Sequence, residues 1–291
     1  MTNINEDKKT AWAALGYTGT YNDMEAAFYI DNPKGTNQEY FDFLRGEGYT
    51  GTLNDMEKQY YVNGTPGGAS DEFFSDVMFL SGFEGTDGST TVIDESSVGR
   101  TLTAQASAQI DTDQFKFGSS SLFVNDSADR VTAASAADLQ IGSSDFTLEG
   151  FFRYSLTPLA FKLLIGKYQN SGNQKSYGIF EFAGDLLFYM SSTGGNTILK
   201  LSTAFVPVIG TWYHLAVDFD GTTYRMYIDG VLGDTTTTKT TAFASTSAFV
   251  IGAQSDGIDE FVGHVDEARL TIGTARYAGA FTPPDAAFPR A

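Results

Sequence analysis

Between Asp145 and Tyr154 apolar and polar positions alternate: Phe146, Leu148, Phe152 and Tyr154 fall on one side of an extended chain, and Thr147, Glu149 and Arg153 on the other. A period of two with one apolar side predicts a strand that turns one face to a core. Trp212 to Phe219 and Tyr224 to Ile228 flank Asp220-Gly221-Thr222-Thr223, a hairpin loop with an Asp-Gly turn, and Asp229-Gly230 begins the next reversal. Phe180 to Phe182 and Leu186 to Met190 bracket Ala183-Gly184-Asp185 in the same way. Loops this short predict antiparallel meanders, because parallel crossovers need about a dozen residues or more. The pattern holds from about Asp76 to the C-terminus. It predicts a mainly β chain whose residues 76–291 form an antiparallel β-sandwich.

The front of the chain follows a different period. Gly16-Tyr17-Thr18-Gly19-Thr20-Tyr21-Asn22-Asp23-Met24-Glu25 is echoed by Gly48-Tyr49-Thr50-Gly51-Thr52-Leu53-Asn54-Asp55-Met56-Glu57. Asn22 with Glu25, and Asn54 with Glu57, are capping boxes that open a short helix in each copy. Thr36 and Glu39 start a further helix through Tyr40, Phe41, Phe43 and Leu44 to a stop at Gly46, and the matching helix of the first copy carries Trp12 and Leu15. The expectation is a small all-α module of two helical-hairpin repeats over 1–62 and a turn-rich linker over 63–75, built around Asn63-Gly-Thr-Pro-Gly-Gly-Ala-Ser70. The Gly-Tyr-Thr-Gly unit resembles a repeat of tailed-phage structural proteins.

Charge and composition narrow the partners. Lys and Arg total 18 against 36 Asp and Glu, a formal charge of −18, so phosphate backbones and anionic membranes are repelled and nucleic acid is not expected as a partner. Without cysteine the fold has no disulfides and no thiolate chemistry. The first residues lack a signal-peptide pattern, and no run approaches the roughly 18–20 apolar residues of a membrane span. Membrane insertion is therefore not expected, and release by lysis as part of a particle is.

Within the sandwich six segments stand in order: Phe79-Leu-Ser-Gly-Phe-Glu-Gly85, Phe117-Gly-Ser-Ser-Ser-Leu-Phe-Val124, Asp145-Phe-Thr-Leu-Glu-Gly-Phe151, Gly210-Thr-Trp-Tyr-His-Leu-Ala-Val217, Tyr227-Ile-Asp-Gly-Val231 and Val265-Asp-Glu-Ala-Arg-Leu270. Together they resemble the laminin G-like, or concanavalin A-like, jelly roll. The closing Ala275 to Pro284 stretch with Phe288-Pro289 is similar to the tail of a subgroup common in phage and bacterial surface proteins. Phe151-Phe152 replaces a Trp usual in that family.

The same resemblance raises the question of glycoside hydrolysis. Hydrolases of this fold set two or three carboxylates as Glu-x-Asp-x-Glu on one strand face. No such run occurs here, and Asp256 to Glu260 and Asp266-Glu267 lack the spacing. His214 and His264 stand apart without metal-site spacing, no Gly-x-Ser-x-Gly elbow is present, and a non-enzymatic protein is expected. Trp212 is expected in the core.

The resemblance implies one calcium ion near the junction of the first and last strands, with Glu84 and Asp266 at the matching positions and Asp94 as a third candidate. For carbohydrate, Tyr168, Asn170 and Tyr177 offer an aromatic and amide surface in one loop region. The combined expectation is a structural protein on the virion surface of a tailed phage, capsid or tail, as decoration or fibre. Its partners would be other virion proteins or copies of itself, and it would engage cell-surface glycans. The alternative is a free calcium-assisted lectin or adhesin.

Overall fold

The computed structural model describes residues 71–125, 128–196 and 198–291; the helical repeats expected at 1–62 lie outside this range. In chain order the first strands are β1 (Val77–Ser81), β2 (Leu102–Gln105), β3 (Gln109–Asp111), β4 (Ser121–Val124) and β5 (Arg130–Ala133). There follow β6 (Phe146–Tyr154), β7 (Lys162–Lys167), β8 (Tyr177–Phe182), β9 (Asp185–Met190) and β10 (Ile198–Ala204). The last are β11 (Trp212–Phe219), β12 (Tyr224–Ile228), β13 (Val231–Thr236), β14 (Phe249–Ile251) and β15 (Gly263–Ile272).

These strands make two antiparallel sheets packed as a sandwich. The first runs β13-β12-β11-β6-β15-β4-β3, with β1 also paired to β15, and the second runs β10-β9-β8-β7-β14-β5-β2. The alternation in β6 has the consequence read from sequence: Phe146, Leu148, Phe152 and Tyr154 all enter the core between the sheets. Val217 and Val265 of the first sheet meet Ile179 and Phe188 of the second in the same core.

A bulge sets the geometry of β15. Its register against β6 shifts between Asp266 and Arg269, and Glu267 takes the left-handed conformation, φ 49°. The extra residue re-aims the side chains on either side of it. Gly150 of β6 faces the bulge, and a Cβ there would come within 3.4 Å of the Ala268 Cα.

The outer face of the first sheet is covered by the ends of the described chain. Phe288 packs with Val77, Leu80 and Phe151. The Phe281 N–H donates to the Gly230 carbonyl (2.9 Å) and the Asp71 N–H to that of Ala291 (2.8 Å). Asp71 also pairs with Arg276 at 2.7 Å. Residues 71–75, assigned to the linker on composition, are therefore tied into the sandwich. Trp212 is only half-buried and packs at the border of this outer cluster, not in the central core.

Candidate functional site

The second sheet carries its own apolar cluster on the outer face. In β8 the alternation sends Tyr177 and Ile179 inward and Phe180 outward, where it meets Leu163, Tyr168, Leu187 and Val250. Phe161 and Tyr189 pack on top of this layer. The Phe161 ring stacks on Phe180 at 4.6 Å and lies 5.5 Å from Tyr189 and 6.2 Å from Phe182. Gly178 makes room for the layer, since a Cβ there would sit 2.9 Å from both Leu163 Cδ1 and Phe180 Cε2. Phe161 and Tyr189 are half-buried and Phe182 is 47% exposed. The result is a three-ring aromatic surface resting on a buried apolar floor, partly open to solvent where the first sheet is covered.

The three carbohydrate candidates take different places around this surface. Tyr177 is fully buried, its hydroxyl donating to the Leu139 carbonyl at 2.8 Å, because the phase of β8 puts it on the core side. Tyr168 is 5% exposed and meets Phe180 edge-on at 4.9 Å, so it supports the surface from beneath. Asn170 is exposed, in a loop where the Ser171 N–H donates to Asp256 Oδ2 (3.1 Å). Phe161, Phe182 and Tyr189, the rings that form the surface, are not among the residues singled out in the sequence as carbohydrate candidates. The period-two spacing of Phe180 and Phe182 is the available signal, but it does not say which side of β8 faces outward.

Of the three calcium candidates, Glu84 and Asp266 hold neighbouring residues of one turn, and Asp94 stands apart from them. Asp94 is buried in a loop, where it accepts the backbone N–H groups of Leu80, Ser96 and Arg100 at 3.2, 3.1 and 2.9 Å and pairs with the Arg100 guanidinium at 3.4 Å. Glu84 accepts the Ser119 hydroxyl at 2.7 Å. Asp266 Oδ2 accepts the Lys116 and Phe117 N–H groups at 2.7 and 3.0 Å, while its buried Oδ1 has no hydrogen-bond partner. Burial, reinforced by the charges of Glu267 and Glu84, pushes the Asp266 carboxyl up to about 8. Among the described residues no three carboxylate or imidazole groups form a cluster able to hold a metal ion. Asp94 is thus committed to its own loop, while Glu84 and the unpartnered Oδ1 of Asp266 are the two members of the trio left near each other; calcium takes six to eight oxygens.

A second polar cluster lies under the C-terminal tail. Glu149 is fully buried and accepts Arg269 Nε and Nη2 at 2.9 and 2.8 Å and the Tyr277 hydroxyl at 2.7 Å, with His214 Nε2 at 3.0 Å. Burial alone would raise its pKa, but the Arg269 charge and the His214 hydrogen bond hold the carboxyl well below the usual range. Asp218, on the neighbouring strand, is pushed up to about 7 by burial against the opposing pull of Arg225. Two carboxylates with separated pKa values suggest acid–base chemistry. Both are sealed from solvent, however, and Glu149 is saturated with donors. His264 stacks on Phe123 at 4.6 Å, a packing role.

A sandwich of two antiparallel sheets is an architecture of lectin-type domains. A family model described as the concanavalin A-like lectin/glucanases superfamily matches residues 125–273, just over half of the 291, and the chain belongs to that superfamily. No curated protein matches. Among solved structures the fold is similar to the binding domain of Paraclostridial Mosquitocidal Protein 1, at 15% identity and TM-score 0.53, covering 70% of this chain and 51% of that one. The botulinum neurotoxin serotype D binding domain matches at 10% identity and TM-score 0.52, with coverages of 69% and 49%. A botulinum neurotoxin type C structure, whose cell entry is described as dependent on two ganglioside molecules, matches at 13% identity and TM-score 0.51, with coverages of 68% and 48%. The chain spans about half the length of each, and at these identities the likeness is one of fold.

Proposed function

We propose that residues 71–291 form a non-catalytic, lectin-like recognition domain that binds cell-surface glycans on the outer face of the second sheet. The observation that carries this reading is the partly exposed trio Phe161, Phe182 and Tyr189. Flat aromatic faces take up the C–H side of a sugar ring, and the apolar floor of Leu163, Phe180 and Leu187 fixes the rings in place. Membership of a superfamily that includes lectins supports the reading, as does the ganglioside dependence described for the type C neurotoxin. The proposed surface includes none of Glu84, Asp94 and Asp266, and recognition on it draws no ligand from that trio.

The full chain is expected to bind a subset of a glycan array in the presence of chelator. Phe182→Ala and Tyr189→Ala should each weaken that binding about tenfold, the scale of one lost aromatic contact. A flat array, or binding indifferent to both substitutions, would remove the proposal. Attachment to a tailed-phage particle is the part supported by the repeated Gly-Tyr-Thr-Gly motifs at residues 16–19 and 48–51. Mass spectrometry of purified particles tests it, and a chain confined to the soluble lysate would count against it.

A further inference from the structure

Two loops without charged residues of their own leave the same end of the sandwich. Ser155-Leu-Thr-Pro-Leu-Ala-Phe161 joins β6 to β7, and Phe205-Val-Pro-Val-Ile-Gly-Thr211 joins β10 to β11. Leu159 is 85% exposed, Val206 71%, Val208 64%, Leu156 61% and Ile209 47%. The loops are anchored to the fold: the Gly210 N–H donates to the Tyr154 carbonyl (3.0 Å) and the Phe205 N–H to that of Gly184 (2.7 Å). The Val208 N–H donates to the Tyr213 hydroxyl at 3.0 Å, and the Phe205 ring packs edge-on against Tyr154 and Tyr213. Pro158 and Pro207 are buried. Five aliphatic side chains are thus presented to solvent by braced turns.

We propose that this tip docks on an electrically neutral lipid surface, its aliphatic side chains entering the interfacial zone of a zwitterionic bilayer. Three features favour that occupant. The loops have no charged residue of their own, the charge against them being the Arg153 guanidinium that donates to the Gly210 carbonyl at 3.1 Å, and the chain's net charge of −18 is one that an anionic bilayer would repel and a zwitterionic one would not. All five side chains are Leu, Val or Ile, whereas the energetic centres of protein interfaces favour Trp, Tyr and Arg; entry into lipid depends on apolar area alone. Two loops also fall short of the roughly 20–30 residues a side that a stable protein interface uses. Docking of this kind is superficial, reaching only as deep as two turns project.

The tip adjoins the aromatic face, because Val206 Cγ2 lies 3.4 Å from where a Cβ would stand on Gly184, two residues beyond Phe182. A glycan held on that face and a bilayer under the tip are compatible, but docking does not depend on the glycan reading. The test is flotation of the full chain with phosphatidylcholine vesicles that contain no glycolipid, so a failed glycan array leaves it untouched. Wild type should float with the vesicles, and phosphatidylserine added at low salt should reduce the floating fraction. The double variant Leu159→Asp/Val206→Asp, at two exposed positions, should lose at least tenfold in partitioning with its circular dichroism and melting unchanged. Val208→Asp should move in the same direction. Wild type that stays unbound, or a double variant that floats equally well, overturns the proposal. So does a dimer that the double variant dissociates without any flotation, which would give the tip to a second copy of the chain.

Discussion

Glu149→Ala is expected to destabilise the sandwich by about 3–5 kcal/mol, the cost of removing one partner from a buried ion pair. Arg269 would lose both of its hydrogen bonds to Oε1, and His214 and Tyr277 their shared acceptor Oε2. The network extends to the ends of the domain, since Arg269 also pairs with Asp71 at 3.3 Å and Asp71 with Arg276 at 2.7 Å. The substitution should therefore loosen residues 274–291 first. Urea unfolding gives the magnitude, and hydrogen exchange over the tail gives the order of events. The pH dependence has a definite sign. Because the folded pKa of Glu149 is depressed, its contribution is fully present above the ordinary carboxylate value of 4.5 and declines as pH falls below it. A loss under about 1 kcal/mol, the scale of an exposed ion pair, or tail exchange equal to wild type, would show that the covering segment is held by its aromatic contacts alone.

The phase of β6 is legible in sequence, whereas its environment is not. Thr147, Glu149 and Arg153 face away from the core as alternation requires, and that side ordinarily meets water. Here Tyr277, Phe281 and Phe288 arrive from the far end of the chain and cover it; 128 residues separate Glu149 from the Tyr277 hydroxyl it accepts. No local pattern reports such a cover. The same limit explains the aromatic candidates: Tyr168 and Tyr177 sit beside turn-rich sequence and read as loop residues, but the pairing of β7, β8 and β14 decides which rings face out. The order of the six laminin G-like segments is informative because it spans the whole domain. The calcium trio is not, because three acids near one strand junction converge only if their loops do, and the Asp94 loop turns to Arg100 instead.

Removing the carboxyl of Glu181 should have the opposite effect to removing that of Glu149. Glu181 alternates with Ile179 on the core side of β8 and is fully buried. Neither of its oxygens, nor the hydroxyl of Tyr154, has a hydrogen-bond partner of good geometry. Burial pushes the carboxyl up to about 7, with the Gly184 N–H and the Lys162 charge pulling weakly the other way. A raised acid pKa means that the folded state binds the proton more tightly than the unfolded one. The contribution of Glu181 therefore becomes progressively unfavourable as pH rises from the ordinary value of 4.5 to about 7, reaching roughly 2–3 kcal/mol above that range. Asp266 and Asp218 are raised as well and Glu149 is lowered, so the wild-type profile is a composite. The difference between wild type and Glu181→Leu isolates the one group. At about pH 8 Glu181→Leu should gain roughly 2–3 kcal/mol relative to its difference from wild type at about pH 4, as read from urea midpoints at both values. A difference that does not change with pH would mean that the Glu181 carboxylate is solvated in the folded protein, and that the end of the sandwich beneath the two apolar loops admits water.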